Sequence, residues 1–130
     1  MADSEETAWA EWFRHTSELG VPPQKRMPRD LWRFDVDLER VADLTAPGEL
    51  TKRGVRNLTP SRRQWSKTQP IGERAWRQGF GALLAPSAAR ADGKVLVLFR
   101  DQPGAIKGVT PIKPAKNVTD LPALPGGLRT

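Results

Sequence analysis

The stretch GFGALLAPSAARADGKVLVLFRD, residues 79–101, decides the fold of this chain. Its two apolar runs, GALLA and KVLVLF, are typical of buried strands, and the A-D-G-K sequence at 91–94 predicts a two-residue hairpin turn between them. Pro86 has no N–H to give to a sheet, so regular strand pairing should end or bulge there. Ser87 follows directly, which places a hydroxyl at the point where the first strand ends.

The residues before this stretch predict a helix and then a strand. A helix is expected over 3–19, with Asp3 and Glu6 as a capping box and Gly20 as its stop. The sequence LWRFDVDLE at 31–39 alternates apolar with charged side chains, which is the pattern of a strand with one face on the core. The side chains expected on that core face are Trp32, Phe34, Val36 and Leu38.

The remaining elements complete a mixed order of helices and strands. A short helix closed by Gly54 precedes a helix over 60–78, which Pro70 should kink or divide. A last strand is expected over 106–112. We therefore predict a single α+β domain over residues 1–113, and a poorly ordered tail over 114–130 because that segment is rich in proline and glycine.

Net charge, cysteine content and the N-terminal sequence limit the classes of protein to which this chain can belong. The 130 residues carry a net charge of +6 with a pI near 10.3, which favours anionic partners. The absence of cysteine excludes disulfides, thiolate metal sites and a cysteine nucleophile, and is compatible with a reducing compartment. The acidic opening MADSEETAWAEW has no long apolar core, so neither a signal peptide nor a membrane span is expected. These features predict a soluble, cytoplasmic protein.

Two sets of side chains are candidates for chemistry. Alternation places Asp35, Asp37 and Glu39 on one strand face, where two of them are able to share an ion, although a solvated strand face is the simpler interpretation. His15 is the only histidine, so a hydrolytic triad would need it. Ser87 stands in APSAA rather than in a G-x-S-x-G turn, which argues against such a triad.

The basic side chains suggest a further alternative. Scattered through helices and links, they form either a solvated surface or a phosphate-binding face, without a helix-turn-helix or an aromatic RNA-binding signature around them. A non-catalytic, basic nucleic-acid-binding module is therefore the alternative function. The residues are Lys25, Arg26, Arg29, Lys52, Arg53, Arg56, Arg62, Arg63, Lys67, Arg74 and Arg77.

Three segments taken together resemble a known family. The segments are ETAWAEWFRH, a strand leading into VADLT, and a tryptophan-bearing helix that closes on RQGFGALLAPSAARADGKVLVLF. In order and spacing they are similar to the RES-domain family of bacterial toxins. That family has an E-T-A-L-x-E helix, a V-x-D-L segment and a G-x-x-G-[IL]-x-x-P-S-A hairpin. The resemblance covers residues 4–100.

The resemblance implies a fold related to the ADP-ribosyltransferase toxins and an activity that degrades NAD⁺. Family members split the nicotinamide–ribose bond by phosphorolysis or hydrolysis, so NAD⁺ is expected as substrate and inorganic phosphate as a possible co-substrate, with no cofactor and no metal. A helix-turn-helix antitoxin is the expected partner, and a homodimer is possible. By position, the family glutamate corresponds to Glu11 and the family serine to Ser87, both expected to be catalytic, with Ser87 also contacting the bound dinucleotide or phosphate.

The chain departs from the family pattern at its start. The family carries an arginine early, in a G-G-R-[FW]-N-like segment, and no such segment precedes Glu11 here. The resemblance therefore implies an N-terminally truncated domain that lacks the arginine expected to bind the pyrophosphate. On this reading the chain as given should turn over NAD⁺ poorly. Arg14 and Arg90 stand near the expected site, but no motif assigns either of them the missing role.

Overall fold

The structure, a computed structural model, describes residues 1–56, 58, 65–102 and 106–129. Within these residues, three α-helices, a short 3-10 helix at Pro23–Arg26 and five strands form a single α+β domain, as the sequence predicts. In chain order the elements are α1 (Glu5–Glu18), β1 (Arg29–Leu38), β2 (Val41–Asp43), α2 (Glu49–Lys52), α3 (Trp65–Arg77), β3 (Ala82–Pro86), β4 (Lys94–Leu98) and β5 (Ile106–Val118).

A three-stranded sheet in the order β2-β3-β4 carries the apolar stretch with which the sequence analysis began. β2 runs parallel to β3, and β3 runs antiparallel to β4. Pairing of β3 with β4 ends at Pro86, opposite Lys94, as predicted for a residue that has no N–H to donate. The connection therefore runs over residues 87–93, and the predicted two-residue hairpin at 91–94 is wrong. We call residues 87–93 the Ser87 turn.

The first residues of the chain add to the same sheet. Ala2 forms an antiparallel bridge with Val95, and the Met1 ammonium donates to the Leu96 carbonyl at 2.8 Å. Asp3 N–H donates to the Lys94 carbonyl at 3.0 Å. Residues 1–3 thus lead from the outer side of β4 directly into α1, which fixes where that helix starts relative to the sheet.

The described core lies between the three-stranded sheet and α3. Leu44, Ala75 and Leu83 are buried there, and half-buried apolar side chains pack around them: Ala42, Leu50, Ile71, Phe80 and Phe99. α3 runs through Pro70 without being divided, because only one N–H is lost while the helix is held on its apolar side. The predicted start of this helix, at residue 60, lies outside the described residues.

β1 and β5 form a separate two-stranded antiparallel ribbon. The strand expected at 31–39 exists, but its predicted core face is only partly covered: Trp32 remains 43% exposed and Phe34 42% exposed. A register shift between Leu31 and Arg33 interrupts the simple alternation of faces. The expectation that this apolar face is buried in the core is therefore wrong for Trp32 and Phe34.

Two local predictions are corrected at the ends of the chain. α1 is capped by Ser4, whose side chain accepts a hydrogen bond from Thr7 N–H, so the capping residue is not Asp3. The domain boundary expected at residue 113 falls inside β5, which continues to Val118. Residues 114–118 therefore belong to β5 rather than to a tail, and residues 116–118 pair with β1. Among the described residues, no helix has the length and apolar content needed to cross a membrane.

Candidate functional site

The Ser87 hydroxyl is held by three hydrogen bonds. It donates to Glu11 Oε1 at 2.7 Å, across 76 positions of sequence. It also accepts from the N–H groups of Ala89 at 3.1 Å and Arg90 at 3.0 Å. Ser87 is fully buried. A hydroxyl has one proton to donate and two lone pairs to accept with, so these three partners use its whole hydrogen-bonding capacity.

Glu11 is held at both carboxylate oxygens. Ser87 occupies Oε1, and Arg14 Nη2 lies 3.0 Å from Oε2. Arg14 is one turn further along α1, at the i,i+3 spacing that brings side chains together on a helix surface. Arg14 Nη1 also lies 3.6 Å from Glu18 Oε1. The two anchors fix the orientation of the Glu11 carboxylate.

A close contact between α1 and the Ser87 turn explains why Glu11 and Ser87 meet. Gly93, the last residue of the turn, lies against Thr7 so closely that a Cβ at this position would collide with the Thr7 side chain. Thr7 is fully buried, and Glu11 follows it by one helical turn on the same side of α1. Glycine at 93 thus permits the approach that places the Ser87 turn beside Glu11.

A cavity of about 580 Å³ opens beside Glu11, and we call it the Glu11 cavity. Glu11 and Arg14 supply polar groups to its wall, while Pro86 and Ala88 line it on either side of Ser87. Ser87 itself is not among the lining residues, since its side chain is turned inward to Glu11. Glu11, and not Ser87, is therefore the predicted site residue that reaches the cavity.

The C-terminal residues hold the Ser87 turn from the other side. Arg129 Nε donates to the Ser87 carbonyl at 2.9 Å, and Arg129 N–H donates to the Ala89 carbonyl at 2.9 Å. Ala91 N–H donates to the Gly127 carbonyl at 2.8 Å. Sequence reasoning missed these contacts because they are made by single residues in a segment that has no periodic pattern.

The other sequence candidates make none of these contacts. His15 is exposed on α1, and the charged side chains Asp35 and Asp37 are exposed on the β1–β5 ribbon. Within the part of the chain that the structure describes, no group of three histidine, aspartate or glutamate side chains is placed to hold a metal ion. Asp43, in the VADLT segment, accepts from the Thr45 hydroxyl at 2.6 Å and from Thr45 N–H at 2.8 Å. These two hydrogen bonds hold the pKa of Asp43 below its usual value.

A comparison with protein families identifies the class of this protein. The RES domain model matches residues 1–122, which is most of the chain and extends beyond the resemblance found over 4–100. The chain belongs to the RES-domain family. No curated protein and no solved structure matches it.

Proposed function

We propose that this chain cleaves the nicotinamide–ribose bond of NAD⁺ and acts as the toxin of a toxin–antitoxin pair in the cytoplasm. The observation that carries the proposal is the Glu11 carboxylate, held by Ser87 at 2.7 Å and by Arg14 at 3.0 Å on the wall of a 580 Å³ cavity. Membership of the RES-domain family supports the same reaction, through the activity expected of that family.

The proposed chemistry needs a fixed negative charge. When the bond from the ribose anomeric carbon to the nicotinamide nitrogen breaks, the bonding electrons leave with nicotinamide, and positive charge builds on the ribose ring. In this proposal the Glu11 carboxylate stabilises that charge, and its contacts with Ser87 and Arg14 keep it from reorienting during the reaction. A water molecule or an inorganic phosphate then attacks the anomeric carbon, and the proton of an attacking water passes to solvent.

Ser87 acts in this proposal by positioning Glu11. Direct contact between Ser87 and NAD⁺ or phosphate, which the family resemblance implies, would require the buried hydroxyl to give up one of its three present partners. The serine at the end of β3 instead supplies a neutral donor to one carboxylate oxygen. Such a donor orients the charge without cancelling it.

The test is release of nicotinamide from NAD⁺, measured with protein at stoichiometric concentration so that slow turnover is visible. Glu11→Gln keeps the size of the side chain and removes its charge, and we expect a loss of about 10²–10³ in rate. Glu6→Gln is the matched control, because Glu6 is an exposed glutamate on the same helix. Equal rates for the wild type and Glu11→Gln, or equal losses in both variants, would overturn the proposal.

The second product distinguishes the two forms of the reaction. Hydrolysis yields ADP-ribose, whereas attack by inorganic phosphate yields its anomeric phosphate ester, and adding phosphate should then raise the rate. Separation of the products by anion-exchange chromatography, with and without added phosphate, decides between them. The proposed antitoxin, a helix-turn-helix protein, is tested by whether its co-expression abolishes nicotinamide release.

A further inference from the structure

A second cavity, of about 380 Å³, has a rim of positive charge, and we call it the basic cavity. Lys52 and Arg53, at the end of α2, face Lys67 and Arg74 of α3 across it. Lys67 and Arg74 are seven positions apart, two helical turns, so they lie on the same side of α3. The four cations come from two different helices and converge on one space.

The charge of this rim is largely uncompensated. Glu49 lies 3.5 Å from both Lys52 and Arg53, so these two cations share one carboxylate. Within the described part of the chain, no carboxylate lines the basic cavity, and neither Lys67 nor Arg74 has an ion-pair partner. Like charges brought together repel one another, and an anion in the cavity would relieve that repulsion.

The floor of the basic cavity is apolar. It is formed by Leu44, Ile71 and Leu83, side chains of the core between α3 and the sheet. The same three side chains also line the Glu11 cavity, so the two cavities share a wall. A ligand suited to the basic cavity therefore carries a phosphate for the rim and a flat or apolar group for the floor.

We propose that the basic cavity binds a nucleotide, with its phosphate between Lys67, Arg74 and the end of α2, and its base against the apolar floor. A nucleic acid is a poorer fit, since it needs a groove that follows its backbone over many phosphates rather than an apolar-floored cavity. The identification of this nucleotide as the adenylate half of NAD⁺, with the nicotinamide half at Glu11, rests on the proposed function. A mononucleotide site at the basic cavity does not.

The test measures AMP binding by calorimetry to the whole chain and to three single-residue variants of it. Arg74→Ala removes a rim cation, and we expect it to weaken AMP binding about 10-fold or more, the loss of one charge-assisted hydrogen bond. Lys67→Ala should weaken it in the same direction. Arg77→Ala is the control: it removes the same charge from the same helix, at a residue paired with Glu73 and outside the cavity lining. AMP affinity should change less than 2-fold there.

Comparison ligands separate the nucleotide from other anions. AMP should bind more tightly than inorganic phosphate, because phosphate has no group for the floor. The proposal is overturned by undetectable AMP binding, by equal losses in Arg74→Ala and Arg77→Ala, or by phosphate binding as tightly as AMP. Tighter binding of a single-stranded oligonucleotide than of AMP, with the same dependence on Arg74, would assign the cavity to nucleic acid instead.

Turnover provides a readout that is independent of the AMP result. If NAD⁺ spans both cavities, Arg74→Ala should raise KM for NAD⁺ about 10-fold while leaving kcat within about 2-fold, because the rim holds the end of the substrate that does not react. AMP binding without any nicotinamide release would refute the proposed function and leave the nucleotide site standing. Nicotinamide release without AMP binding would refute the nucleotide site and leave the proposed function standing.

Discussion

The Ser87 turn and the β1–β5 ribbon are held in opposite ways. The Ser87 turn is made of small and polar residues, and it is held by a hydrogen bond to Glu11 of α1, by close contact of Gly93 with Thr7 of α1, and by hydrogen bonds from Arg129. The ribbon carries the large aromatic side chains Trp32 and Phe34, yet these are 43% and 42% exposed. Hydrophobicity alone therefore does not identify the most firmly held part of this chain.

The difference lies in what covers each region. Backbone pairing between β1 and β5 forms the ribbon, while its aromatic side chains Trp32 and Phe34 remain more than 40% exposed. In the Ser87 turn, by contrast, one buried hydroxyl satisfies two backbone N–H groups and a carboxylate. A buried polar group that loses its hydrogen-bond partner costs the full free energy of its desolvation. Removing a half-exposed ring loses only the stabilisation from the part of the ring that was buried.

The largest effect on stability is expected at the Ser87 turn. Ser87→Ala leaves the N–H groups of Ala89 and Arg90 without their acceptor, and should lower the free energy of unfolding by about 2–4 kcal/mol. Urea denaturation followed by tryptophan fluorescence measures the change. Ser17→Ala, at an exposed serine of α1, is the control and should stay within about 0.5 kcal/mol. Equal changes in the two variants would show that the turn does not depend on this hydroxyl.

A smaller loss is expected when the C-terminal anchor is removed. Arg129→Ala deletes the donor to the Ser87 carbonyl, and should lower the free energy of unfolding by about 1–2 kcal/mol. Hydrogen exchange at Ala91 N–H, which bonds to the Gly127 carbonyl, should speed up in the same variant. Arg100→Ala, at an exposed arginine, is the charge-matched control. An unchanged hydrogen-exchange rate at Ala91 N–H in Arg129→Ala would show that the C-terminal residues do not stabilise the Ser87 turn.

Replacing an aromatic side chain in the ribbon should cost less than removing the single oxygen of Ser87. Trp32→Thr keeps a residue that favours strands and removes a side chain that is already 43% exposed, so we expect a loss of about 1 kcal/mol. The same denaturation experiment ranks it against Ser87→Ala. If Trp32→Thr lowered the free energy of unfolding more than Ser87→Ala does, the ribbon and not the Ser87 turn would be the more firmly held region.

The smallest effect is expected at an exposed link between the ribbon and α1. Lys116 Nζ lies 3.0 Å from Glu5 Oε1, and this hydrogen bond is the main cause that holds the pKa of Glu5 below its usual value of 4.5. Lys116→Ala should therefore raise the pKa of Glu5, as NMR titration measures. Because the folded pKa is lowered, the stabilisation is present above pH 4.5 and is lost as pH falls through the lowered folded value.

The pair is exposed, so its contribution to stability at neutral pH should stay within about 0.5 kcal/mol. Lys107→Ala, which removes a similar exposed pair with Glu39 inside the ribbon region, is the control and should leave the pKa of Glu5 unchanged. A pKa of Glu5 that is identical in the wild type and in Lys116→Ala would show that Lys116 does not act on Glu5.

Local chemistry made part of this fold predictable. Pro86 ends the pairing of β3 because it has no N–H, and that follows from the residue type alone. The alternation in 31–39 predicted a strand, but it shows only which side chains share a face, and not whether anything covers that face. The exposure of Trp32 depends on tertiary packing, which no local pattern carries.

The candidate site was predictable only in part, for a related reason. Glu11 and Ser87 were selected through the family resemblance, and nothing in their own sequence neighbourhoods indicated that they meet. Arg14 had a detectable signal, the i,i+3 spacing from Glu11, but no sequence motif assigned it a role. The contacts of Arg129 were not predictable, because they join single residues across long stretches of sequence without a repeating pattern.

The most direct test of the central claim, that Ser87 acts by holding Glu11, is a double-mutant cycle on nicotinamide release from NAD⁺. The four proteins are the wild type, Glu11→Gln, Ser87→Ala and the double variant, each assayed well below its unfolding temperature. We expect Ser87→Ala to lower the rate about 10-fold in the wild type but less than about 2-fold in Glu11→Gln, because residues that act as a unit are not additive. Equal losses in both backgrounds would show that Ser87 acts independently of Glu11, and would contradict the account.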